Sequence, residues 1–407
     1  MSDHTKEKRN RLTTRREAPE PTARRFGVFI LGAGFSRPAG LPLANDLWGE
    51  VRRRADGMSG RASFFRDDLD AYIQFRRECY GEALTPDKVD FEDFMAFLDI
   101  EHYLGLRGND TWSDDGNEAQ IVVKTLIGEI LTERTPPKER LPDIYLRFAE
   151  MLQPDDLVLT FNYDVLLERA LEAVGQPFRL FPQRLKPLYP GGSDLSVDTS
   201  REEVVLLKLH GSVDWFDRRS YSRLEVSFRR SGSTDGPYHP VFKPKRELAA
   251  VPLVGGARFS DDPLREMHRV LDIEQLYRSR PLFQVAPWLL NPSSAKILYA
   301  EKQKDFWWGL GDWGSMNFAM AIIGFSLSGP DDYARQVLYR LVKNYQCNYW
   351  EEGVLGRTKT PLVLVDLREL AGDKEDFKRR YAFVNWERTK THFAGFDDEA
   401  LELLRHN

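Results

Sequence analysis

The feature that most constrains this chain is a continuous apolar run ended abruptly by glycines, FGVFILGAGFS, beginning at Phe26. A strand buried on both faces carries apolar side chains at successive rather than alternate positions, because neither face meets water. Small residues after it let the backbone turn tightly into the next element. The pattern returns at Leu157 to Phe161 (LVLTF), Val204 to Leu209 (VVLLKL), Ala319 to Ile323 (AMAII) and Pro361 to Asp366 (PLVLVD), with helical periodicity near several of these runs. The expected fold class is therefore α/β, a Rossmann-like doubly wound parallel sheet.

The 407 residues exceed the roughly 250 to 300 at which a single core stops growing, so insertions or a second domain are expected. Between the first two runs, residues 59–150 show apolar spacing typical of helices in FEDFMAFLDIEHYLGL and IVVKTLIGEILTER, which predicts a helical insertion. Residues 217–279 mix aromatic and charged residues with turns such as RRSGSTDGP and predict a smaller insertion or lid. These interrupt a main domain over 26–370. Residues 1–25 are Lys/Arg-rich without apolar periodicity and read as a flexible basic arm, and 371–407 reads as a C-terminal helical segment closing on DDEALELLRHN.

A net charge of -5 means that any nucleic-acid contact has to come from a local basic patch. Bulk charge thus gives no direct nucleic-acid signal. No apolar stretch approaches the roughly 20 residues of a membrane span, and the N-terminus lacks the apolar core of a secretory signal, so a cytoplasmic protein is expected. Only Cys79 and Cys347 are present, outside any paired spacing, so neither a disulfide framework nor a thiolate metal site can be argued.

Four strand ends carry polar or small residues where ligands bind in open α/β sheets. After the first run come Gly32, Ala33, Gly34, Phe35 and Ser36, whose amides can approach a diphosphate or simply make a tight turn. After the second come Thr160, Phe161, Asn162, Tyr163 and Asp164, just before VLLERALEAVG. Asn and Asp are strong helix caps, so one of Asn162 and Asp164 is expected to cap that helix and leave the other free. After the third run stand His210, Gly211 and Ser212, and after the fourth Gly324, Phe325 and Ser326, which also fit a capped turn.

Together, GAGFSRPAGLP, TFNYDVLLERALEAVG, LKLHGSVDW and IGFSL resemble, in order and rough spacing, the motifs of the sirtuin superfamily, and most of all its bacterial SIR2-like antiphage-defence branch. Phe91-Glu92-Asp93, Asp331-Asp332 and VAPWLLNPSSAK agree with that resemblance, which extends from Phe26 to Asp366. It implies NAD+ as substrate, no metal, and a catalytic set of Asn162, Asp164 and His210, with His210 as general base. It further implies that Gly32, Ala33, Gly34, Phe35 and Ser36 hold the diphosphate and nearby ribose. Asn162 and Asp164 are implied to face the nicotinamide and its ribose, Gly324 and Ser326 to line the adenosine half, Asp366 to contact a ribose, and Thr160, Phe161, Tyr163 and Phe325 to complete the cofactor-binding set.

Two cysteines cannot build the four-cysteine zinc module of deacylase sirtuins, which makes water the expected acceptor rather than an acylated peptide. The resemblance thus implies an NAD+ glycohydrolase acting in antiphage abortive infection. Because uncontrolled NAD+ hydrolysis would kill its host, a homo-oligomer gated by a partner is expected: a HerA-type hexameric ATPase, or alternatively a short Argonaute. Other readings are an NAD-dependent deacylase or ADP-ribosyl transferase, and a non-catalytic NAD or nucleotide sensor.

Overall fold

The computed structural model describes residues 26–58, 63–108, 115–232, 241–242, 248–278, 286–313, 317–327, 331–348, 350 and 359–405. The basic arm at 1–25, most of the RRSGSTDGP turn, Val285 and Pro330 lie outside the described residues. In chain order the strands are β1 (Gly27–Leu31), β2 (Leu157–Thr160), β3 (Phe178–Arg179), β4 (Leu185–Pro187), β5 (Leu195–Val197) and β6 (Val204–Lys208). They continue with β7 (Trp215–Asp217), β8 (Ala250–Pro252), β9 (Met267–Val270), β10 (Ala319–Ile323), β11 (Leu362–Val365) and β12 (Thr389–His392).

Seven of these form one parallel sheet in the order β12-β11-β10-β1-β2-β6-β3. Every residue of β1, β2, β6 and β11 is buried, as the unbroken apolar runs require for strands covered on both faces. Apart from the two-residue β3, the order is that of a doubly wound nucleotide-binding sheet, and it reverses between β1 and β10. At that reversal, crossovers leave to opposite sides and open a crevice beyond the carboxyl ends of the strands.

The long crossover from β1 to β2 is helical: Ala44–Asp56, Ser63–Tyr80, Phe91–Tyr103, Glu118–Arg134 and Asp143–Met151. Its starts are written locally. The Asp90 carboxylate accepts from the Asp93 amide, and Asn117 with Gln120 forms a reciprocal capping box. The later insertion contains the helices Arg218–Arg230 and Ile273–Arg278 and a three-stranded antiparallel sheet ordered β7-β9-β8. The C-terminal segment departs from the helical expectation. Between the helices Ala371–Arg380 and Asp398–Arg405 it contributes β12, the edge of the main sheet. Its sequence TKTH is polar because an edge strand faces water, and therefore gives no apolar signal. No helix among the described residues is long and apolar enough to cross a membrane.

Candidate active site

The loops after β1 and β10 interlock at the reversal point. Gly32 donates to the Ile323 carbonyl at 3.0 Å, Gly34 to that of Gly324 at 2.9 Å, and Gly324 to that of Val365 at 2.7 Å. A Cβ on Gly34 would stand 2.7 Å from the Gly324 Cα, and one on Gly324, whose φ is +63°, would stand 2.2 Å from the Phe35 nitrogen. These glycines let two backbones touch. The helix they open, Ala33–Ser36, is a single turn, and the Gly34 amide is consumed within the protein.

Asn162 is locked onto this loop. Thr160 Oγ1 accepts from its amide at 3.1 Å, and its Nδ2 donates to the Gly32 carbonyl at 2.9 Å and to Ser36 Oγ at 3.1 Å. With both amide hydrogens engaged, Oδ1 is the atom through which half-buried Asn162 can still act. Asp164 is the capping member of the pair: it is buried, and its Oδ1 accepts from the Leu166 amide at 3.0 Å at the start of the helix Leu166–Val174. Its backbone carbonyl and the Glu168 carboxylate receive the fully buried Lys208 ammonium. Asp164 thus braces the loop through its Oδ1 and its backbone carbonyl.

His210 follows β6 and is held by the segment around Trp288. Leu290 donates to its carbonyl at 2.9 Å, while Gly211, at φ +82°, brings the chain so close to Trp288 that a Cβ would lie 2.2 Å from the Trp288 oxygen. The imidazole meets Phe161 edge-on at 5.0 Å, and Phe161 stacks on Phe325 at 4.3 Å. Residues from the second, third and fourth motifs therefore share one aromatic wall. His210 Nε2 is hydrogen-bonded to the Tyr333 hydroxyl. Burial pushes its pKa down to about 3, with nearby Lys296 adding to the effect and Asp331 opposing it. Burial also pushes the Tyr333 phenol upward, so both partners of this bond are neutral.

Around them lie charges the motifs did not single out for chemistry. Lys296 and Asp331 form a buried pair at 2.6 Å, and both influence Glu92, whose carboxyl is raised by burial. Glu92, Lys296 and Asp331 all belong to segments that carry the resemblance, whereas Tyr333 stands just past Asp331-Asp332 and carried no signal.

Several expected contact residues take other positions. The Phe35 ring, at 1% exposure, packs against Tyr145, Phe148 and Phe396 in the core, and its amide donates to the Gly32 carbonyl at 2.9 Å. The Tyr163 hydroxyl donates to the Leu290 carbonyl at 2.7 Å, anchoring the segment that holds His210. Asp366 stands at the end of β11, yet its carboxylate already accepts from the Leu367 amide at 2.7 Å and from Arg368 at 3.2 Å. Ala33 is exposed, Ser36 is buried under Asn162, and the Ser326 and Phe325 carbonyls are held by Arg380 and Tyr381.

The fold and this site define an α/β protein with a doubly wound sheet whose strand ends beside the reversal point carry Asn162, after β2, and His210, after β6. Residues 156–306, which carry Asn162 and His210, match the family described as SIR2-like domain. No curated protein matches the sequence. Among solved structures the chain is similar to a Sir2 enzyme at 14% identity, covering 94% of this chain and 92% of that one with a TM-score of 0.38. It is also similar to Sir2Tm bound to a propionylated peptide and to Sir2 with a p53 peptide and NAD+, each at 12% identity and TM-score 0.31, covering 94% of this chain and 91% of theirs. The fold assignment rests on the strand order itself.

Proposed function

We propose that the whole chain is a SIR2-like enzyme that cleaves NAD+ at the nicotinamide–ribose bond and passes the ribosyl group to water, giving nicotinamide and ADP-ribose. The observation that carries this reading is the fixing of Asn162 to the Gly32–Ser36 loop beside the Phe161–Phe325–His210 wall, with Phe161, Asn162 and His210 inside the segment that matches the SIR2-like domain. A dinucleotide fits the reversal point of a doubly wound sheet. Here the loops after β1 and β10 would hold its diphosphate and adenosine half.

Loss of nicotinamide leaves a cationic, oxocarbenium-like ribose. Asn162 Oδ1 accepts from the nicotinamide carboxamide or from the attacking water, and the pinned Nδ2 keeps it in place. Phe161 and Phe325 exclude bulk water from the ribose. His210 takes the proton from water or a ribose hydroxyl, which requires Nε2 to exchange its Tyr333 partner for that group. Burial holds His210 neutral and weakly basic, the condition of a resting enzyme. Asp164 acts through its cap and through Lys208 to position the Asn162 loop.

A resting state suits an enzyme that is switched on by assembly or by a partner. The defence role, a homo-oligomer and a HerA-type ATPase as the gate, with a short Argonaute as the alternative, belong to this proposal on the strength of the motif resemblance. Chromatography of NAD+ incubated with the purified chain, with and without such an ATPase, tests both parts. Deacylation of an acylated peptide in place of nicotinamide and ADP-ribose release would move the assignment to a transferase.

A further inference from the structure

The insertion after β7 carries the helix Arg218–Arg230, RRSYSRLEVSFRR, with five arginines against one glutamate in a chain of net charge -5. Its inner side is occupied. Tyr221 is buried with its ring 5.8 Å from that of Phe242, which meets His268 edge-on at 5.2 Å. Asp217 caps the first turn through the Arg219 amide and pairs with Arg219 and Lys302. On the outer side, positions 223, 226 and 230 recur at i, i+3 and i+7 and form one stripe, beside which Arg229 pairs with Glu225 at 3.0 Å. Arg223, Val226 and Arg230 in it are exposed, and so are the flanking Arg218 and Arg229.

We propose that this arginine face binds the phosphate backbone of nucleic acid. Seven residues at 1.5 Å each separate Arg223 from Arg230 by about 10 Å, the axial length over which one strand of a duplex presents roughly three phosphates. Guanidinium groups match phosphate oxygens in geometry as well as charge. A lipid surface is the poorer occupant, because a helix lying on a membrane must bury its apolar side there, and the apolar side of this one is packed inward at Tyr221. A protein partner is poorer too, since the stripe offers Val226 and no aromatic anchor. The basic patch that the acidic chain requires for a polyanion contact is thus on this helix, and the assignment is independent of NAD+ chemistry.

The test is fluorescence anisotropy of a short labelled DNA duplex and its single strand with the full chain, titrated between about 50 and 200 mM salt. Arg223→Gln/Arg230→Gln is compared with the charge-retaining Arg223→Lys/Arg230→Lys, and thermal melts check that both are folded. Sequence-independent binding is expected, with the slope of log K against log salt reduced by about 2 in the Gln variant and kept in the Lys variant. Absence of binding by the wild type at low salt overturns the proposal. So does an unchanged slope in the Gln variant, which would place the contact elsewhere, or loss of the slope in the Lys variant as well. Stronger association with phosphatidylserine vesicles than with DNA also overturns it.

Discussion

The Gly34 amide donates to the Gly324 carbonyl at 2.9 Å, so the loop that ends β1 and the loop that ends β10 are one structural unit. Neither glycine can gain a methyl group without displacing the other's backbone. Gly324→Ala is expected to cost at least ~1–2 kcal/mol from its φ of +63° alone, with the clash adding to it. Urea unfolding measures this; an unchanged midpoint would show that the two loops do not interlock.

Asn162→Ala removes the amide that ties Gly32 to Ser36 while leaving the buried strand β2 intact. NAD+ cleavage is expected to fall by about 10²- to 10³-fold, the usual effect of losing one preorganised polar contact to a transition state. The unfolding midpoint should move little, because Asn162 is only half-buried. A large stability loss with catalysis retained in the folded fraction would assign Asn162 a structural role alone.

Tyr333→Phe deletes the hydroxyl bonded to His210 Nε2 but leaves the imidazole buried, and burial is the main cause of its lowered pKa. The His210 pKa should therefore stay well below 6.5 in the variant. Proton NMR of the imidazole reads this titration without any turnover. A His210 pKa that returns to about 6.5 in the variant would show that the Tyr333 hydroxyl, and not burial, holds the imidazole neutral.

The same histidine couples stability to pH. Its pKa in the folded chain, about 3, lies below the ordinary 6.5, so between those values the unfolded chain binds the extra proton and stability falls as pH falls. The loss fully develops only below pH 3 and is absent above about 6.5. Compared with the wild type, His210→Asn is expected to show a shallower loss across that window, by up to about 1.4 kcal/mol per pH unit. Parallel pH-stability curves for the two proteins would exclude a buried neutral His210.

Much of the frame was legible because the signals were local. Strands covered on both faces need unbroken apolar sequence, which is why FGVFIL, LVLT, VVLLK, AMAII and LVLV fall in the central sheet. The alternative between Asn162 and Asp164 as the helix cap was also visible, and the Leu166 amide resolves it toward Asp164. Other strands gave no such signal: the edge strand β12 is polar, and β7, β8 and β9 of the small antiparallel sheet carry no unbroken apolar run. Phe35 illustrates a further limit, since sequence places a residue in a loop without saying which way its side chain points. Tyr333 reaches His210 across 123 positions of chain, a relationship that only tertiary structure supplies.

The central claim is tested most directly by incubating the purified chain with NAD+, alone and with a candidate ATPase partner, and quantifying nicotinamide and ADP-ribose for the wild type, Asn162→Ala and His210→Ala. The account predicts equal release of both products by the wild type in at least one of these conditions and near-abolished release in both variants. NAD+ that binds but stays intact throughout, or cleavage that survives both substitutions, contradicts it.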